Sequence, residues 1–243
     1  MLEERYIEEY KAILAKLGER CHKTYEKLSF LPCKESCSEC CEQFFPVSFI
    51  EAHYLSMGLK ELSRQQRRLM QKAANKIKDK LDKNPFSEGK RFFVGTKEEI
   101  YKKQHEFGSH LRGMEYDCPY LNDEKLCEVY ESRPHDCRVH GCSIDKSTKE
   151  VLGCFRFNVI PQLQNPEVRE DLVDFDYLYP EIRSLDAASI RSITGHPVGV
   201  HVWYFASPID PILNNYEEKD WSQVFDMDWD SVKEGDYVLV LDY

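Results

Sequence analysis

The chain has 243 residues, 42% of them hydrophobic and 31% charged, with a formal net charge of -10. That is enough apolar material for one large core or two small ones, and it excludes an intrinsically disordered chain. The acidic balance gives no general attraction to phosphate backbones, so a nucleic-acid partner is not expected.

The N-terminal segment, residues 2–28, places Leu2, Tyr6, Ile7, Tyr10, Ile13, Leu14 and Leu17 at helical spacing. It lacks the charged-then-apolar order of a signal peptide. No apolar run reaches the ~18 residues of a membrane span. We therefore expect a cytoplasmic protein with no membrane partner. In a reducing compartment closely spaced cysteines are ligands more often than disulfides.

A second helix is expected from Ser48, with Glu51 completing a capping box, to Gly58. A third is expected from Ser63, with Gln66 in the matching position and Leu69, Met70, Ala73, Ile77 and Leu81 on its buried face. Asn84-Pro85 stops it. Its basic residues, Arg64, Arg67, Arg68, Lys72, Lys76, Lys78 and Lys80, read as a solvated face rather than a nucleic-acid surface. Residues 101–111 have a helical pattern. Cys118-Pro-Tyr-Leu and Lys125-Leu-Cys-Glu-Val-Tyr flank Asn122-Asp123-Glu124 as a short hairpin. Ser132-Arg-Pro-His is a turn that opens a short helix, and Asp145-Lys-Ser-Thr-Lys is a turn before Val151-Leu-Gly-Cys.

From about residue 160 the chain changes character. This part holds all three tryptophans and no cysteine, and Val200–Phe205 and Tyr237–Leu241 read as strands. The expected architecture is α+β and mainly helical. Residues 1–160 form a compact cysteine-cluster metal domain with the N-terminal helix, and residues 161–243 form a strand-containing extension packed on it.

Nine of the ten cysteines lie between residues 33 and 154; Cys21, on the first helix, reads as a small buried apolar residue. The first group is Cys33, Cys37, Cys40 and Cys41. On a helix these positions share one face, and in a loop they wrap around one centre. Four thiols in nine residues make a poor core, because leucine would bury more apolar surface. Thiolates instead suit zinc or an iron–sulfur cluster. Side chains of the adjacent Cys40 and Cys41 should point apart, so they serve two centres or one of them is no ligand. The spacing Cys33-x3-Cys37-x2-Cys40 matches that of radical S-adenosylmethionine enzymes. Glu39 replaces their aromatic and helices follow instead of strand–helix units, so this match is set aside.

The second group is Cys118-Pro-Tyr-Leu, Cys127-Glu-Val-Tyr and Arg133-Pro134-x2-Cys137-Arg138. With the first group, this order of motifs resembles the YkgJ-type cysteine-cluster family, whose CxxCxxCC domain is described as zinc- or iron-chelating and which is related to flagellin lysine methylases. The resemblance covers about residues 30–160. It implies that Cys154 fills the place of the family's late cysteine. The chain departs from the pattern in the three-residue gap after Cys33 and in an extra Cys142 beside His140, which competes with Cys154 as the last ligand. The metal-ligand candidates are thus Cys33, Cys37, Cys40, Cys41, Cys118, Cys127, Cys137, Cys154 and Cys142.

Pro119 and Pro134 fix backbone angles around these thiols. Arg133 and Arg138 either donate to sulfur and offset thiolate charge or form surface ion pairs. His135 and His140 flank Cys137 as weaker ligand candidates, whereas His196 and His201 have no evident partner. Asp226, Asp228 and Asp230 imitate the start of a calcium loop but lack its glycine and final glutamate, so a helix cap beside Trp229 is expected instead.

The expected cofactor is an iron–sulfur cluster of the [4Fe–4S] type, with zinc as the alternative. The expected function is metal binding with a redox or modification-related role. A structural or zinc-handling role is the alternative, as is S-adenosylmethionine-dependent lysine methylation. Whether the chain is an enzyme stays open. The partner is expected to be an unspecified protein or small molecule.

Overall fold

A computed structural model describes residues 2–31, 37–42, 45–83, 92–112 (backbone only from 109), 117–147, 160–196 and 199–242. The fold is α+β and mainly helical. Cys33, Asn84-Pro85 and Val151-Leu-Gly-Cys154 lie outside the described residues.

Helix α1 (Glu4–Lys27) is built from strong helix formers and buries Tyr6, Ile7, Tyr10, Leu14, Leu17, Cys21 and Thr24 along one stripe. Helix α2 (Phe49–Lys60) starts where Ser48 N–H donates to Glu51 Oε2 at 2.9 Å. It continues past Gly58, the expected stop. Phe49, Ile50, Ala52 and Leu55 are all essentially sealed from solvent. Burial of a Phe, Ile or Leu side chain contributes about 1.5–3 kcal/mol. That outweighs the roughly 1 kcal/mol cost of a glycine in a helix interior.

Gly58 has a positive role there. A Cβ on it would fall on Oγ and Cβ of Ser132, in the short 3-10 turn Tyr130–Ser132. The glycine lets that turn lie directly against α2. Gly58→Ala should therefore lower stability by about 1–2 kcal/mol despite alanine's better helix propensity. Ser132→Gly in the same background should recover most of the loss. Chemical unfolding of the single and double variants checks this; an unchanged midpoint in Gly58→Ala would show that the turn moves away freely.

Helix α3 (Arg64–Leu81) has the expected capping box: Gln66 N–H donates to Ser63 Oγ at 3.3 Å, and Ser63 N–H to Gln66 Oε1 at 2.9 Å. Its buried face is Met70, Ala74, Ile77 and Leu81. Leu69, expected on that face, is 62% exposed, and Ala73 is only half-buried. The contact stripe is rotated toward Ala74, because a small residue there admits the neighbouring elements closely. The basic residues are exposed except Lys78, which is half-buried and pairs with Asp82.

Strand β1 (Phe92–Gly95) and helix α4 (Lys97–Arg112) follow. Helix α5 (His135–Val139) is the short helix expected after Pro134. Strand β2 (Ser143–Ile144) pairs in parallel with β3 (Val173–Asp174), across the turn of helix α6 (Pro166–Arg169). Helix α7 (Tyr179–Thr194) and strand β4 (His201–Ala206) come next, then short helices α8 (Asp210–Leu213) and α9 (Trp221–Val224), and strand β5 (Tyr237–Asp242). Between α9 and β5, Asp228 caps the turn Trp229–Ser231 by accepting from Asp230 N–H at 3.2 Å, as expected for that acidic run.

The three-stranded sheet has the order β1-β5-β4, with β5 antiparallel to β1 and parallel to β4. Segments before and after residue 160 share this sheet. They also share the main core, which joins Val47, Phe49, Leu55, Tyr120 and Val129 to Ile190, Val202, Tyr204, Trp221 and Val238. A second core packs α1 on α5, β2, β3 and α7. Among the described residues, no helix is long and apolar enough to cross a membrane.

Candidate metal centre

The hairpin expected at residues 118–130 forms through a single antiparallel bridge, Leu121 to Cys127. Asn122 N–H donates to Leu126 O at 2.9 Å, and Glu128 N–H to Tyr120 O at 2.9 Å. The Asn122 side chain closes the turn by accepting from Glu124 and Leu126 N–H. Lys125 takes the left-handed conformation, φ 62°, that reverses the chain. Tyr120 pins the hairpin to the main core with its hydroxyl donating to Pro208 O at 2.6 Å.

This geometry aims backbone donors at sulfur. Tyr120 N–H donates to the Cys118 thiol, and Val129 N–H donates to the Cys127 thiol. In both cases the donor lies two residues after the cysteine, so the same local turn is used twice. Such bonds favour the charged thiolate. Burial acts the other way and dominates. It pushes Cys118 up to about 12, with the charge of Cys127 and Cys40 adding to it. Burial likewise raises Cys127, against the pull of Val129 N–H and Arg133.

Cys137, on α5, joins them. Burial raises its pKa far above the ordinary thiol value, and Cys118, Cys127 and Cys40 raise it further, while Arg133 lowers it. Cys40 sits in the 3-10 turn Glu39–Glu42. Its pKa is raised first by the hydrogen bond it donates to Cys41, then by burial, with Arg133 opposing. The adjacent Cys40 and Cys41 thiols were expected to diverge; instead the Cys40 thiol is hydrogen-bonded to Cys41.

Cys40, Cys118, Cys127 and Cys137 therefore feel one another's charge, and Arg133 acts on three of them. All four are half-buried. Cys37 is half-buried in the loop before the turn. Among the described residues, no three of His, Cys, Asp and Glu are arranged to hold a metal ion as they stand. Cys33 and Cys154 lie outside the described residues.

Arg133 stacks its guanidinium 3.5 Å from the Tyr130 ring centroid and donates to Tyr130 O at 3.1 Å. Arg138 donates to Arg133 O at 2.8 Å and to Glu131 O, clamping the turn that leads into α5. Both arginines thus hold the backbone around the thiols and supply positive charge beside them.

Cys142 has different surroundings. It is fully buried in the second core, and its thiol donates a hydrogen bond to Cys21. That bond lowers the pKa of Cys21, against the effect of burial, with His135, Arg138 and Arg20 assisting. His135, a weaker ligand candidate, has both ring nitrogens facing oxygen: Nε2 lies 2.9 Å from Tyr177 O and Nδ1 3.2 Å from Asp136 Oδ1. Of the remaining histidines, His196 lies 2.7 Å from Thr194 Oγ1 and stacks on Trp229, and His201 stacks on Tyr237.

Sequence reasoning missed a buried acidic pair beside these thiols. Glu51 Oε1 accepts from His135 N–H at 2.8 Å and from the Tyr10 hydroxyl at 3.5 Å. Asp186, on α7, accepts from Ile50 N–H at 2.7 Å. Both carboxyls serve the buried N-terminus of α2, where first-turn N–H groups have no helical partner. Glu51 was legible as a capping residue; nothing local to α7 marked Asp186.

Comparison with known proteins adds nothing to this picture: no family model, no characterised protein and no solved structure matches the chain. The resemblance to the YkgJ-type family therefore rests on the motif order alone.

Proposed function

We propose that the chain is a metal-binding protein that holds an iron–sulfur centre of the [4Fe–4S] type. Cys40, Cys118, Cys127 and Cys137 would be sulfur donors, and Cys33, Cys37, Cys41 and Cys154 the remaining candidates. The observation that carries the reading is the repeated N–H-to-sulfur turn at Cys118 and Cys127, on a hairpin whose thiols share one electrostatic neighbourhood with Cys40 and Cys137. Soft thiols with backbone donors and an arginine beside them fit iron or zinc better than calcium or magnesium.

When bound, such a cluster supplies one-electron redox chemistry. The chain's own residues would tune it. Tyr120 and Val129 N–H would bond the ligand sulfurs, Arg133 would offset negative charge, and the half-buried setting would limit water. Zinc is the second reading, supported by the number of neighbouring thiols: four sulfurs complete a closed tetrahedral site.

Purification without oxygen decides between them. A brown protein with broad visible absorption, iron and acid-labile sulfide supports the cluster. A colourless protein with zinc supports the alternative, and a metal-free protein overturns the proposal.

Cys142→Ala and Cys154→Ala separate the two candidates for the last ligand. Cys142 sits in the second core against Cys21, so its variant should keep full metal content. Cys154→Ala should lose much of it. Metal per chain, measured in both purified variants, checks this; loss in the Cys142 variant alone would assign the role to Cys142 instead.

A further inference from the structure

Helix α8 packs on both α2 and α3, and the three border a cleft of about 330 Å³. Ligand pockets run from ~300 to ~1,000 Å³, so this one suits a small molecule. Leu59, Pro211 and Ile212 make part of its lining apolar. Among the described residues no acid lines it.

The polar lining offers donors. Ser56 is 6% exposed, and among the described residues its hydroxyl has no hydrogen-bond partner, although it borders the cleft. A buried hydroxyl is costly unless something bonds it. Arg67 donates from Nη1 to Lys60 O at 3.0 Å. That leaves Nε and Nη2, a parallel pair of N–H groups that matches the two oxygens of a carboxylate. Asn215 accepts from Glu217 N–H at 3.2 Å through Oδ1, which leaves its side-chain N–H groups to donate. Lys60, also in the lining, is paired with Glu217. The net charge at the cleft is therefore that of Arg67, one positive.

The α8 wall is held in place from behind. Asn214, in the lining, donates to Asp210 Oδ1. Asp210 Oδ2 accepts from Lys219 Nζ at 2.9 Å and from the Tyr216 hydroxyl. Lys219 also donates to Asp242 Oδ2 at 2.6 Å, near the end of β5, and the Tyr204 hydroxyl donates to the same oxygen at 2.8 Å. This buried network ties α8 to the central sheet before any ligand arrives, so binding orders little of the protein.

We propose that this cleft binds a small organic carboxylate. Arg67 takes the carboxylate side-on, Ser56 and Asn215 supply further donors, and the apolar body rests on Leu59, Pro211 and Ile212. A single positive charge suits a monoanion better than a phosphate ester with its second negative charge.

The test is equilibrium dialysis of the full-length protein as purified against radiolabelled 3-phenylpropionate and 4-methylpentanoate. Each is run beside its primary amide, and phenyl phosphate is run as the rival anion. The expected result is saturable binding of one acid per chain, with the matching amide at least about tenfold weaker, because the charge-assisted bonds to arginine are lost. Arg67→Gln should weaken the acid by a similar factor. Arg67 is exposed, so the variant should keep its fold, which circular dichroism checks. Ser56→Ala should weaken the acid a few-fold. Absence of saturable binding by both acids overturns the proposal, as does equal binding of acid and amide or full affinity in Arg67→Gln. Tighter binding of phenyl phosphate than of either acid would make the cleft a phosphate-ester site and overturn the carboxylate assignment. The readout is bound acid, so it is independent of which metal the thiols hold.

Discussion

Cys137→Ala is expected to bring bound metal close to zero and to lower the melting temperature sharply. Cys137 is the thiol most enclosed by the others: Cys118, Cys127 and Cys40 all disfavour its ionisation. A cation inverts that arrangement, turning mutual repulsion among thiolates into shared attraction to one centre. In thiolate sites the binding free energy is also folding free energy, on the order of 10 kcal/mol for a structural zinc. Under the proposed function, losing one of four donors therefore costs structure as well as metal. Alanine at this position removes a sulfur but suits α5, so helix propensity does not confuse the result. Metal per chain and a thermal melt, both on soluble protein, measure the two effects. A soluble Cys137→Ala protein with full metal content would remove Cys137 from the ligand set.

Asp186→Asn is expected to raise stability near neutral pH and to leave it unchanged near pH 4. Burial pushes the Asp186 carboxyl up to about 8, the nearby charge of Glu51 adding to this and the hydrogen bond from Ile50 N–H opposing it. The native pKa lies above the unfolded value of about 3.9. The native state therefore keeps a proton that the unfolded state gives up, and stability falls as pH rises from about 4 to 8. At pH 7 the cost is at most about 4 kcal/mol. Glu51 is raised by burial and by Asp136, against the hydrogen bonds from Ser48 and His135, so its contribution has the same sign. His135 is disfavoured by burial but raised on balance by Asp136, and its contribution too is lost as pH rises.

Asparagine keeps an oxygen to accept from Ile50 and abolishes the ionisation. Urea unfolding of both proteins from pH 4 to 8.5 tests this: the two curves should coincide in acid and separate above pH 5. Parallel curves across the whole range would mean that Asp186 titrates alike in both states.

The sequence carried the parts of this fold whose signal is local. α1 shows an unbroken apolar stripe, and α3 is announced by Ser63 and Gln66. The hairpin follows from Asn122 and the flanking apolar residues. α7 escaped notice because two of its five buried positions, Asp186 and Ser189, are polar, which breaks the periodic stripe that betrays a helix. β1 is four residues long, and what makes it a strand is β5, far along the chain. Gly58 read as a stop because the closeness of Ser132 is a tertiary fact. The two cysteine groups were legible as a chemical class. The pairing of Cys142 with Cys21 was not, since it depends on how α1 crosses α5.

The position of β5 bears on how the protein is made. Every cysteine precedes it in the chain, and among the described residues β1 and β4 meet only through it. The hairpin with Cys118 and Cys127 belongs to the same core as Val238 and Val240 of β5. On the ribosome the thiol-rich segments emerge well before the strand that completes their support, and pairing across such sequence distance is slow. For that interval the cysteines are unsupported thiols, open to oxidation and, under the proposed function, to whichever soft metal is at hand. Under the proposed function, the yield of metal-loaded protein should therefore depend on the thiol redox state and metal supply of the cell during synthesis, more than on conditions imposed after folding.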